Sequence, residues 1–562
     1  MISDNKIIQQ MAAILKAKGI KDIIISPGSR NAPIINTFAG SGAFNCLSVV
    51  DERSAAFFAL GIALKTGNTV AMACTSGTAA LNYAPAIAEA FYQKVPLLIL
   101  TADRQTEWTD QGDGQTIRQR NVFENYIKKS FELPQNYQTA NELWHANRMV
   151  NEAVNLCQAS AKGPVHINLP FGEPLYEQVN EELPNVRIIN TFSGETMLSV
   201  DQKELFSGLI NSSARVLLLC GQQSKNPKLD DLLSELSKLP QIILFSETNS
   251  NLENKNGIVS IDKLLATLTE KEEEDFAPEL LITFGNAIVS KRIKAFLRKL
   301  KPLNHINVNP DTYHPDTYQN LTHAVFMEPE SFFEQIVPGS KPCASNYQES
   351  WLEKREHAEG QHKKFIESCD YCDLKVFDAI FNKIPLNSDL HLANSSPVRY
   401  GQLFRHRPGI EHFSNRGTSG IDGCTSTAVG TAYAGKKLTV LITGDLSFYY
   451  DSNGLWNSYL SEKLRIIVIN NGGGNIFRII PGPDSTEHLE VFYETKHLEK
   501  TEGFAKTFGL EYFHVCSMEE LEKNLSNFFD ENLKKPALLE IFTHRKKSPE
   551  VLKNYFSYLK GE

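Results

Sequence analysis

Residues 438–477 read LTVLITGDLSFYYDSNGLWNSYLSEKLRIIVINNGGGNIF, and this segment indicates the class of fold. A first apolar, β-branched run, Leu438–Thr443, breaks at a Gly-Asp pair, and a second, Leu464–Ile469, ends at two asparagines and three glycines. Two apolar runs joined by an amphipathic segment predict a strand–helix–strand unit of a parallel sheet. Ligands of such sheets collect at the carboxyl ends of the strands, so we expect Asp445 and Asn471 to meet there.

These two side chains and the glycine turn offer a set of oxygen ligands. A carboxylate from Asp445, an amide oxygen from Asn471 and the carbonyl of Gly473 suit Mg²⁺, which prefers octahedral oxygens and often shares them with a diphosphate. The glycines at 472–474 would let backbone N–H groups approach phosphate oxygens without a Cβ in the way. For either dipeptide alone, the alternative is an ordinary turn at a strand end.

The bulk composition is that of a globular protein. The 562 residues are 41% hydrophobic and 22% charged, and this length predicts about three or four domains. A net charge of −9 argues against a nucleic-acid-binding surface, which would be basic. Ile7, Ile8, Met11, Ile14 and Leu15 have helical spacing without a continuous apolar core, so the start of the chain predicts a domain helix rather than a signal peptide. No run reaches the ~18 apolar residues of a membrane span, and we expect a cytoplasmic protein.

Alternating strand and helix patterns predict three α/β domains, each with a doubly wound parallel sheet. We place them at residues 1–180, 190–338 and 350–562, with linkers at the polar segment 173–190 and the Pro/Gly/Ser segment 338–345. The middle segment contains no G-x-G-x-x-G, which argues against a dinucleotide site.

Several elements can be predicted within these segments. An Ala-rich run through Ala90 predicts one helix after the Thr-Ser-Gly-Thr at 75–78. The predicted strands of the first segment are Asp22–Ser26, Leu47–Val50, Thr69–Cys74, Pro96–Thr101 and Gly163–Asn168. Those of the second are Val216–Leu219, Ile242–Phe245, Leu280–Phe284 and His305–Val308, and the third segment adds His391–Ala393.

The nine cysteines are scattered, and most lie in apolar runs as reduced thiols do. Cys369 and Cys372 form the one close pair. A redox site would need a thioredoxin-like context and a zinc site a second pair, and the sequence contains neither.

Glu52 follows a predicted strand and precedes the strongly apolar helix Ala55–Leu64. Desolvation beside such a helix would keep a carboxyl partly protonated and useful as an acid–base group. The alternative is a helix-start carboxylate that stabilises the helix dipole, and position alone does not decide between the two.

Cations follow several predicted strand ends although the chain is acidic overall. Guanidinium groups bind planar carboxylates through two parallel N–H bonds, so the set favours dicarboxylate substrates, whereas any one member alone is more simply surface charge. The members are Arg30, Arg104, Lys291, Arg292, Arg399 and Arg416.

Together these motifs resemble the thiamine-diphosphate (ThDP)-dependent 2-oxo acid enzymes. The Gly-Asp and Asn-Asn pairs resemble their metal and diphosphate signature, although Leu446 stands where many of those families have Gly. The segments Ser26–Arg30, Asp51–Arg53, Asn415–Gly423 and Gly444–Ser447 most resemble the synthases of menaquinone biosynthesis. This resemblance extends across all three predicted domains.

The resemblance implies a function. Those synthases are transferases that decarboxylate 2-oxoglutarate on ThDP and add the succinic-semialdehyde carbanion to isochorismate in a 1,4-addition. It implies ThDP with Mg²⁺, or Mn²⁺ as the alternative metal. The three domains would be pyrimidine-binding, central, and diphosphate- and metal-binding. It also implies a homodimer or homotetramer with the active site between subunits.

The resemblance also assigns roles to residues. The catalytic set would be Glu52, Arg30, Ser395, Arg399 and Arg416. The cofactor-binding set would be Glu52, Ser395, Ile421, Gly444, Asp445, Leu446, Ser447, Asn471, Gly473, Ile476 and Phe477, with the metal on Asp445, Asn471 and Gly473. Ser395, Arg399 and Arg416 would bind 2-oxoglutarate. Isochorismate would meet Ser29, Arg30, Arg104, Gln115, Lys291 and Arg292, and Ile476, Phe477 and Ile480 would line the pocket near the reacting carbon. Gly114 stands where the family often has Asn, which leaves Gln115 as the contact in that loop.

Three other functions can be weighed against this one. Another ThDP-dependent decarboxylase or carboligase, such as acetohydroxyacid synthase, would need fewer cations for its substrates. A scaffold that had lost its chemistry would not need Glu52, Asp445 and Asn471 together. A nicotinamide-binding protein would need the glycine fingerprint that the middle segment lacks.

Overall fold

The computed structural model describes residues 1–253, 256–405 and 407–561. The chain forms two compact units. The N-terminal unit comprises residues 1–193, 415–436 and 448–464, and the C-terminal unit comprises residues 194–414, 437–447 and 465–562. Each unit is built around parallel sheets, which confirms the predicted α/β fold class.

The N-terminal unit contains one six-stranded sheet in the order β3-β2-β4-β5-β7-β6, and a two-stranded antiparallel pair, β1 with β8. The strands are β1 (Ile2–Ser3), β2 (Asp22–Ile25), β3 (Asn45–Ser48), β4 (Val70–Cys74), β5 (Leu97–Asp103), β6 (Ser130–Glu132), β7 (Val165–Pro170) and β8 (Gln178–Val179). Strands β4, β5 and β7 are buried at every residue, as the interior of a doubly wound sheet requires. The edge strand β6 was not predicted, because a strand of three residues is too short to give a sequence pattern.

Helices cover this sheet and belong to the same unit. They are α1 (Lys6–Ala17), α2 (Ala32–Gly40), α3 (Glu52–Thr66), α4 (Thr78–Asn82), α5 (Ala84–Gln93), α6 (Ala140–Gln158) and α16 (Cys424–Ala434). The Ala-rich run is two helices rather than the one predicted. Pro85 lies in the first turn of α5, where a proline without an N–H is tolerated, and so begins a new helix.

The backbones of α3 and α16 touch. A Cβ on Gly61 would lie 2.0 Å from the carbonyl oxygen of Thr427, and one on Gly430 would lie 2.1 Å from that of Phe58. Only glycine permits this approach, so both positions are fixed by packing.

The C-terminal unit contains a five-stranded sheet in the order β10-β9-β11-β12-β13 and a six-stranded sheet in the order β15-β14-β16-β17-β19-β18. The first comprises β9 (Val216–Cys220), β10 (Ile242–Phe245), β11 (Leu280–Phe284), β12 (Asn304–Val308) and β13 (His323–Val325). The second comprises β14 (Asp389–Leu392), β15 (Glu411–Phe413), β16 (Thr439–Gly444), β17 (Leu464–Asn470), β18 (Glu511–Val515) and β19 (Ala537–Phe542). β16 and β17 are neighbours, as the apolar runs of the opening segment predict.

The remaining helices lie between residues 200 and 560. They are α7 (Val200–Ser212), α8 (Pro227–Leu236), α9 (Ile261–Leu265), α10 (Glu270–Asp275), α11 (Lys291–Leu300), α12 (Pro329–Ile336), α13 (Tyr347–Ser368), α14 (Asp373–Lys383), α15 (Ser396–Gly401), α17 (Asp445–Tyr450), α18 (Ile476–Ile479), α19 (Glu502–Phe508), α20 (Met518–Phe528) and α21 (Lys547–Lys560). Short 3-10 turns lie at Thr106–Trp108, Glu124–Tyr126, Thr248–Ser250, Val337–Gly339, Ser452–Leu455 and Pro483–Ser485, and a π-helical turn lies at Leu489–Tyr493.

The three large sheets fall within the three predicted segments, since their strands span residues 22–170, 216–325 and 389–542. The domain boundaries themselves stay a prediction. Within the described ranges, none of the helices has the length and apolarity needed to span a membrane.

Candidate active site

Asp445 and the glycine turn after β17 are joined by hydrogen bonds. Asp445 begins α17 directly after β16 and is 2% exposed. Its Oδ2 accepts from the backbone N–H groups of Gly472 and Gly473 at 2.9 and 3.0 Å, and its Oδ1 accepts from the N–H of Leu446 at 2.7 Å. Gly472 and Gly473 have φ values of +76° and +145°, which favour glycine. The structure therefore brings Asp445 to the turn, and the two glycine N–H groups expected to face a phosphate donate to its carboxylate.

Asn471 lies in the same turn and is buried. Its Nδ2 donates to Oδ2 of Asp373 at 3.1 Å, and burial raises the pKa of that aspartate. The Oδ1 of Asn471 has no hydrogen-bond partner among the described residues, although it is buried. A buried oxygen without a donor is costly, and a metal ion would compensate it. The anionic Asp445, this amide oxygen and the backbone carbonyl of Gly473 thus fit the all-oxygen coordination of Mg²⁺.

His497 is a titratable neighbour of Asp445. Its Nε2 lies 3.2 Å from Oδ2 of Asp445, and its Nδ1 lies 3.2 Å from Oε2 of Glu499. The hydrogen bond to Asp445 is the main cause of a raised pKa for His497. No sequence pattern marked this residue, which lies far along the chain from both strand ends.

A buried ion-pair cluster anchors the far side of the turn. Glu494 is fully buried, and Arg478 and Arg545 approach its Oε2 at 2.6 and 3.2 Å. The carbonyl of Glu494 accepts from the N–H of Gly474 at 2.6 Å. Glu494 therefore fixes the backbone of the turn next to Gly473, a role that sequence patterns could not reveal because its partners lie 16 and 51 residues away.

Glu52 is the first residue of α3. The side chain of Asp51 caps this helix by accepting from the N–H of Ser54 at 3.0 Å, so Glu52 itself is not the cap. Burial raises the pKa of the Glu52 carboxyl. Burial also raises the pKa values of Cys74 and Tyr83, and the charge of a nearby Glu52 carboxylate raises them further. This carboxyl thus lies among buried groups and is biased towards its protonated form.

Arg30 and Arg104 lie close enough to affect each other. Arg30 is 6% exposed, donates to the carbonyl of Phe171 at 3.1 Å and lies 3.2 Å from Glu173. Burial lowers the pKa of Arg30, and the charge of Arg104 lowers it further. Arg104 pairs with Asp113 at 3.4 Å.

The loop that follows Asp113 carries Gln115. Arg104 donates to the carbonyl of Gly114 at 3.2 Å, so Gly114 contributes backbone where the resembled family often has Asn. Gln115 is exposed with a φ of +54°, and its backbone lies against Gly77 at the start of α4. Ser29 is also exposed.

Arg416 is 9% exposed and lies in a loop that Glu89 holds. Glu89 on α5 is 1% exposed and accepts from the N–H groups of Gly417 and Thr418, both at 2.7 Å. Glu89 was not predicted, but it fixes the backbone beside Arg416. Ile421 lies half-buried at the end of the same loop.

Two of the predicted cations of the C-terminal unit converge on Asp262. The partial burial of this aspartate raises its pKa, while Arg292 and Arg399 lower it. Arg292 stacks over the Phe556 ring at 4.4 Å and Arg399 donates to the carbonyl of Ser395 at 2.6 Å. Lys291 is exposed at the start of α11.

The remaining predicted residues flank the turn. Gly444 ends β16, and Leu446 and Ser447 lie in the first turn of α17, with Ser447 buried. Ile476 and Phe477 form α18, where the Phe477 ring lies 5.7 Å from that of Tyr493, and the N–H of Ile480 donates to the carbonyl of Ile476. The Cys369 and Cys372 thiols are hydrogen-bonded, which lowers the pKa of Cys369 to about 7.

Comparison with known proteins places these features in a family context. Residues 5–128 match the family model described as the thiamine pyrophosphate enzyme, N-terminal TPP binding domain. The chain is similar to proteins named 2-succinyl-5-enolpyruvyl-6-hydroxy-3-cyclohexene-1-carboxylate synthase from three organisms. Identity is 44% to that of Flavobacterium johnsoniae, over 98% of both chains. It is 40% to that of Porphyromonas gingivalis, over 100% of this chain and 98% of the relative, and 40% to that of Bacteroides fragilis, over 100% of both.

Proposed function

The chain belongs to the family of 2-succinyl-5-enolpyruvyl-6-hydroxy-3-cyclohexene-1-carboxylate synthases, and from this membership we propose that it carries out their reaction. It decarboxylates 2-oxoglutarate and transfers the four-carbon unit to isochorismate by 1,4-addition, forming the named product and CO₂. The observation that carries the proposal is the buried, donor-less Oδ1 of Asn471 beside Asp445, in a chain that matches these synthases over its whole length.

The C-terminal unit holds the metal and the diphosphate. Asp445, Asn471 and the carbonyl of Gly473 are the proposed ligands of Mg²⁺ or Mn²⁺. Bound ThDP supplies the electron sink that a 2-oxo acid needs in order to lose CO₂. Glu494 and its two arginines keep the turn in place, so the metal ligands are positioned before the cofactor arrives.

Glu52 is the proposed acid–base residue. A carboxyl with a raised pKa can hold a proton against a ring nitrogen and return it, which an ordinary surface glutamate does poorly at neutral pH. Ile421, Ile476, Phe477 and Ile480 would provide apolar surroundings that exclude water from the reacting carbon.

The cations select dicarboxylates. Arg399 and Arg416, with Ser395, are assigned to 2-oxoglutarate, and Arg30, Arg104, Gln115, Ser29, Lys291 and Arg292 are assigned to isochorismate. A guanidinium binds a planar carboxylate in two parallel hydrogen bonds, so it orients the substrate as well as attracting it.

We also propose a homo-oligomer in the cytoplasm, with each active site shared by two subunits. Glu52 belongs to the N-terminal unit and Asp445 to the C-terminal unit. Mixing Glu52→Gln chains with Asp445→Ala chains tests the sharing. A shared site predicts recovery to about a quarter of wild-type activity, because about half of randomly mixed dimers contain both chains and one intact site. A site within one chain predicts no recovery.

The reaction itself is tested by consumption of 2-oxoglutarate with each component omitted in turn. We expect turnover to require ThDP, a divalent metal and isochorismate together, with isochorismate converted stoichiometrically. Turnover of pyruvate in place of 2-oxoglutarate would contradict the proposal and favour another carboligase.

A further inference from the structure

A second type of metal-ligating cluster lies on the last sheet, away from the oxygen ligands described above. It is formed by His514 on β18, Cys516 directly after that strand, and Glu520 in the first turn of α20. One ligand atom from each of the three lies within 4.8 Å of the other two. All three side chains are exposed, so a cation can reach them from solvent.

The backbone explains why these side chains converge. His514 and Cys516 are two residues apart and Val515 between them is fully buried, so the imidazole and the thiol project from the same face of the strand. The carboxylate of Glu520 turns back towards them, because its Oε2 accepts from the N–H of Cys516 at 2.7 Å. The His514 ring is further supported by the Phe542 ring, 4.8 Å away on the neighbouring strand.

The separation of the cysteine and histidine ligand atoms is that of a tetrahedral zinc site. Zinc–sulfur and zinc–nitrogen bonds of about 2.3 Å and 2.0–2.1 Å at a tetrahedral angle separate the two ligand atoms by about 3.6 Å. The Sγ of Cys516 lies 3.6 Å from Nε2 of His514. The two ligands are therefore already separated as they would be on the metal, with no rearrangement of the strand.

The chemistry of the donors separates this cluster from the predicted Mg²⁺ site. A thiolate, an imidazole and one carboxylate favour a borderline-soft ion such as Zn²⁺, whereas the oxygen set of Asp445 and Asn471 favours a hard one. β19 lies between β18 and β17, so at about 4.8 Å per strand the cluster is roughly 10 Å from the Asn471 end of the sheet. The two sites can therefore be filled independently.

We propose that His514, Cys516 and Glu520 form a zinc site with water in the fourth position. Binding displaces the proton of the Cys516 thiol, which leaves to solvent, and forms the sulfur–metal bond without any change of oxidation state. Partial burial and the charge of Glu520 raise the pKa of this thiol, so in the metal-free protein it holds its proton, and a cation offsets that neighbouring charge.

The experiment uses the full chain, kept reduced by a phosphine and saturated with Mg²⁺. Co²⁺ is added as the spectroscopic probe, and Zn²⁺ affinity is measured by competition with a chromophoric chelator. We expect a thiolate-to-cobalt charge-transfer band and tetrahedral d–d bands that Zn²⁺ abolishes. Cys516→Ser should remove the charge-transfer band, and His514→Ala should weaken Zn²⁺ binding at least about tenfold, since even the loss of an outer partner of a metal ligand costs that much.

Two matched variants decide which cysteines are responsible. Cys343→Ser removes a partly buried thiol outside the cluster and should leave the band unchanged. Cys369→Ser removes one thiol of the hydrogen-bonded pair. If the band survives in Cys516→Ser and disappears in Cys369→Ser, the metal binds the other pair and the proposal is wrong. Absence of any band in the wild-type protein overturns it equally. All three cluster residues are exposed, so melting temperatures close to that of the wild type should accompany these losses.

Discussion

The two carboxylates at the centre of the proposed chemistry lie in contrasting environments. Asp445 is almost completely buried and is surrounded by three backbone N–H groups and an imidazole, which compensate its charge. Glu52 is only half-buried at the start of a helix, and burial biases it towards the protonated form. The surroundings of Asp445 thus suit a metal ligand held by hydrogen bonds, and those of Glu52 suit an acid–base group.

The local surroundings of each carboxylate therefore determine its proposed role. A metal ligand must keep its charge, and the glycine turn provides donors at fixed positions. An acid–base group must be able to exist both protonated and ionised. An apolar helix beside a carboxyl makes the protonated form accessible, because it destabilises the ionised form.

Glu52→Gln should slow proton exchange at C2 of bound ThDP by about 10²–10⁴-fold, because glutamine has nearly the same shape but cannot transfer a proton. The measurement is deuterium exchange followed by NMR after acid quench. ThDP affinity should be nearly unchanged. If Glu52 only stabilised the helix dipole, exchange would be normal and the sole effect would be a stability loss of about 0.3–1 kcal/mol.

Asp445→Ala should weaken Mg²⁺-dependent ThDP binding by about a hundredfold or more, because it removes the charged ligand and the acceptor of two N–H bonds from the turn. Calorimetric titration with ThDP at fixed Mg²⁺ measures this. Glu487→Ala, which removes an exposed carboxylate of the same unit, is the control and should bind normally. Equal ThDP affinity in Asp445→Ala and wild type would reject the metal assignment.

The meeting of Asp445 with the turn that carries Asn471 could be predicted from sequence. Asp445 and Asn471 follow apolar runs whose strands β16 and β17 are neighbours, and a parallel sheet brings such ends together. Strands β10 and β11 also have the predicted bounds, because continuous apolar runs mark fully buried strands. Local periodicity carries this information.

The supporting contacts could not be predicted. Glu494 meets Arg478 and Arg545 through pairings across the fold, and Glu89 holds a loop 328 residues further along the chain. Such pairs leave no periodic trace, since each residue alone looks like surface charge. Their burial is the only sign of their role, and burial is a property of the folded chain.

The arginines extend the contrast from carboxylates in the protein to carboxylates in the substrates. Arg399→Ala should raise the KM for 2-oxoglutarate, and Arg30→Ala should raise the KM for isochorismate, each by about ten- to a hundredfold for a lost charge-assisted contact. Steady-state kinetics with one substrate varied at a time measures both. Arg118→Ala, a largely exposed arginine paired with Asp110, is the control. If Arg399→Ala and Arg30→Ala raised the KM values of both substrates equally, the assignment of each arginine to a different substrate would be wrong.

A third carboxylate, Asp451, is buried and has a raised pKa but has no proposed role in the reaction. It is fully buried, and burial raises its pKa to about 7, although Ser426 donates to it from its N–H at 2.7 Å and from its hydroxyl at 2.8 Å. The pKa of Asp451 is higher in the folded protein than in the unfolded chain. Between about pH 4 and 7 the folded protein therefore holds one more proton than the unfolded chain. The stabilisation is therefore complete below about pH 4 and is lost progressively as the pH rises from there through about 7, with a slope of at most about 1.4 kcal/mol per pH unit.

Asp451→Asn imitates the protonated group and should remove this pH dependence. Its amide oxygen can accept from the N–H of Ser426, and its amide nitrogen can donate to the hydroxyl. The melting temperature of Asp451→Asn minus that of wild type should therefore increase between pH 4.5 and pH 7.5. ThDP binding and C2 proton exchange should stay as in wild type. A melting-temperature difference between the variant and wild type that does not change with pH would mean that Asp451 does not hold a proton in the folded protein. A slowed C2 exchange would mean that burial alone does not distinguish it from Glu52, and the contrast between structural and catalytic carboxylates would then have to rest on their position relative to the cofactor.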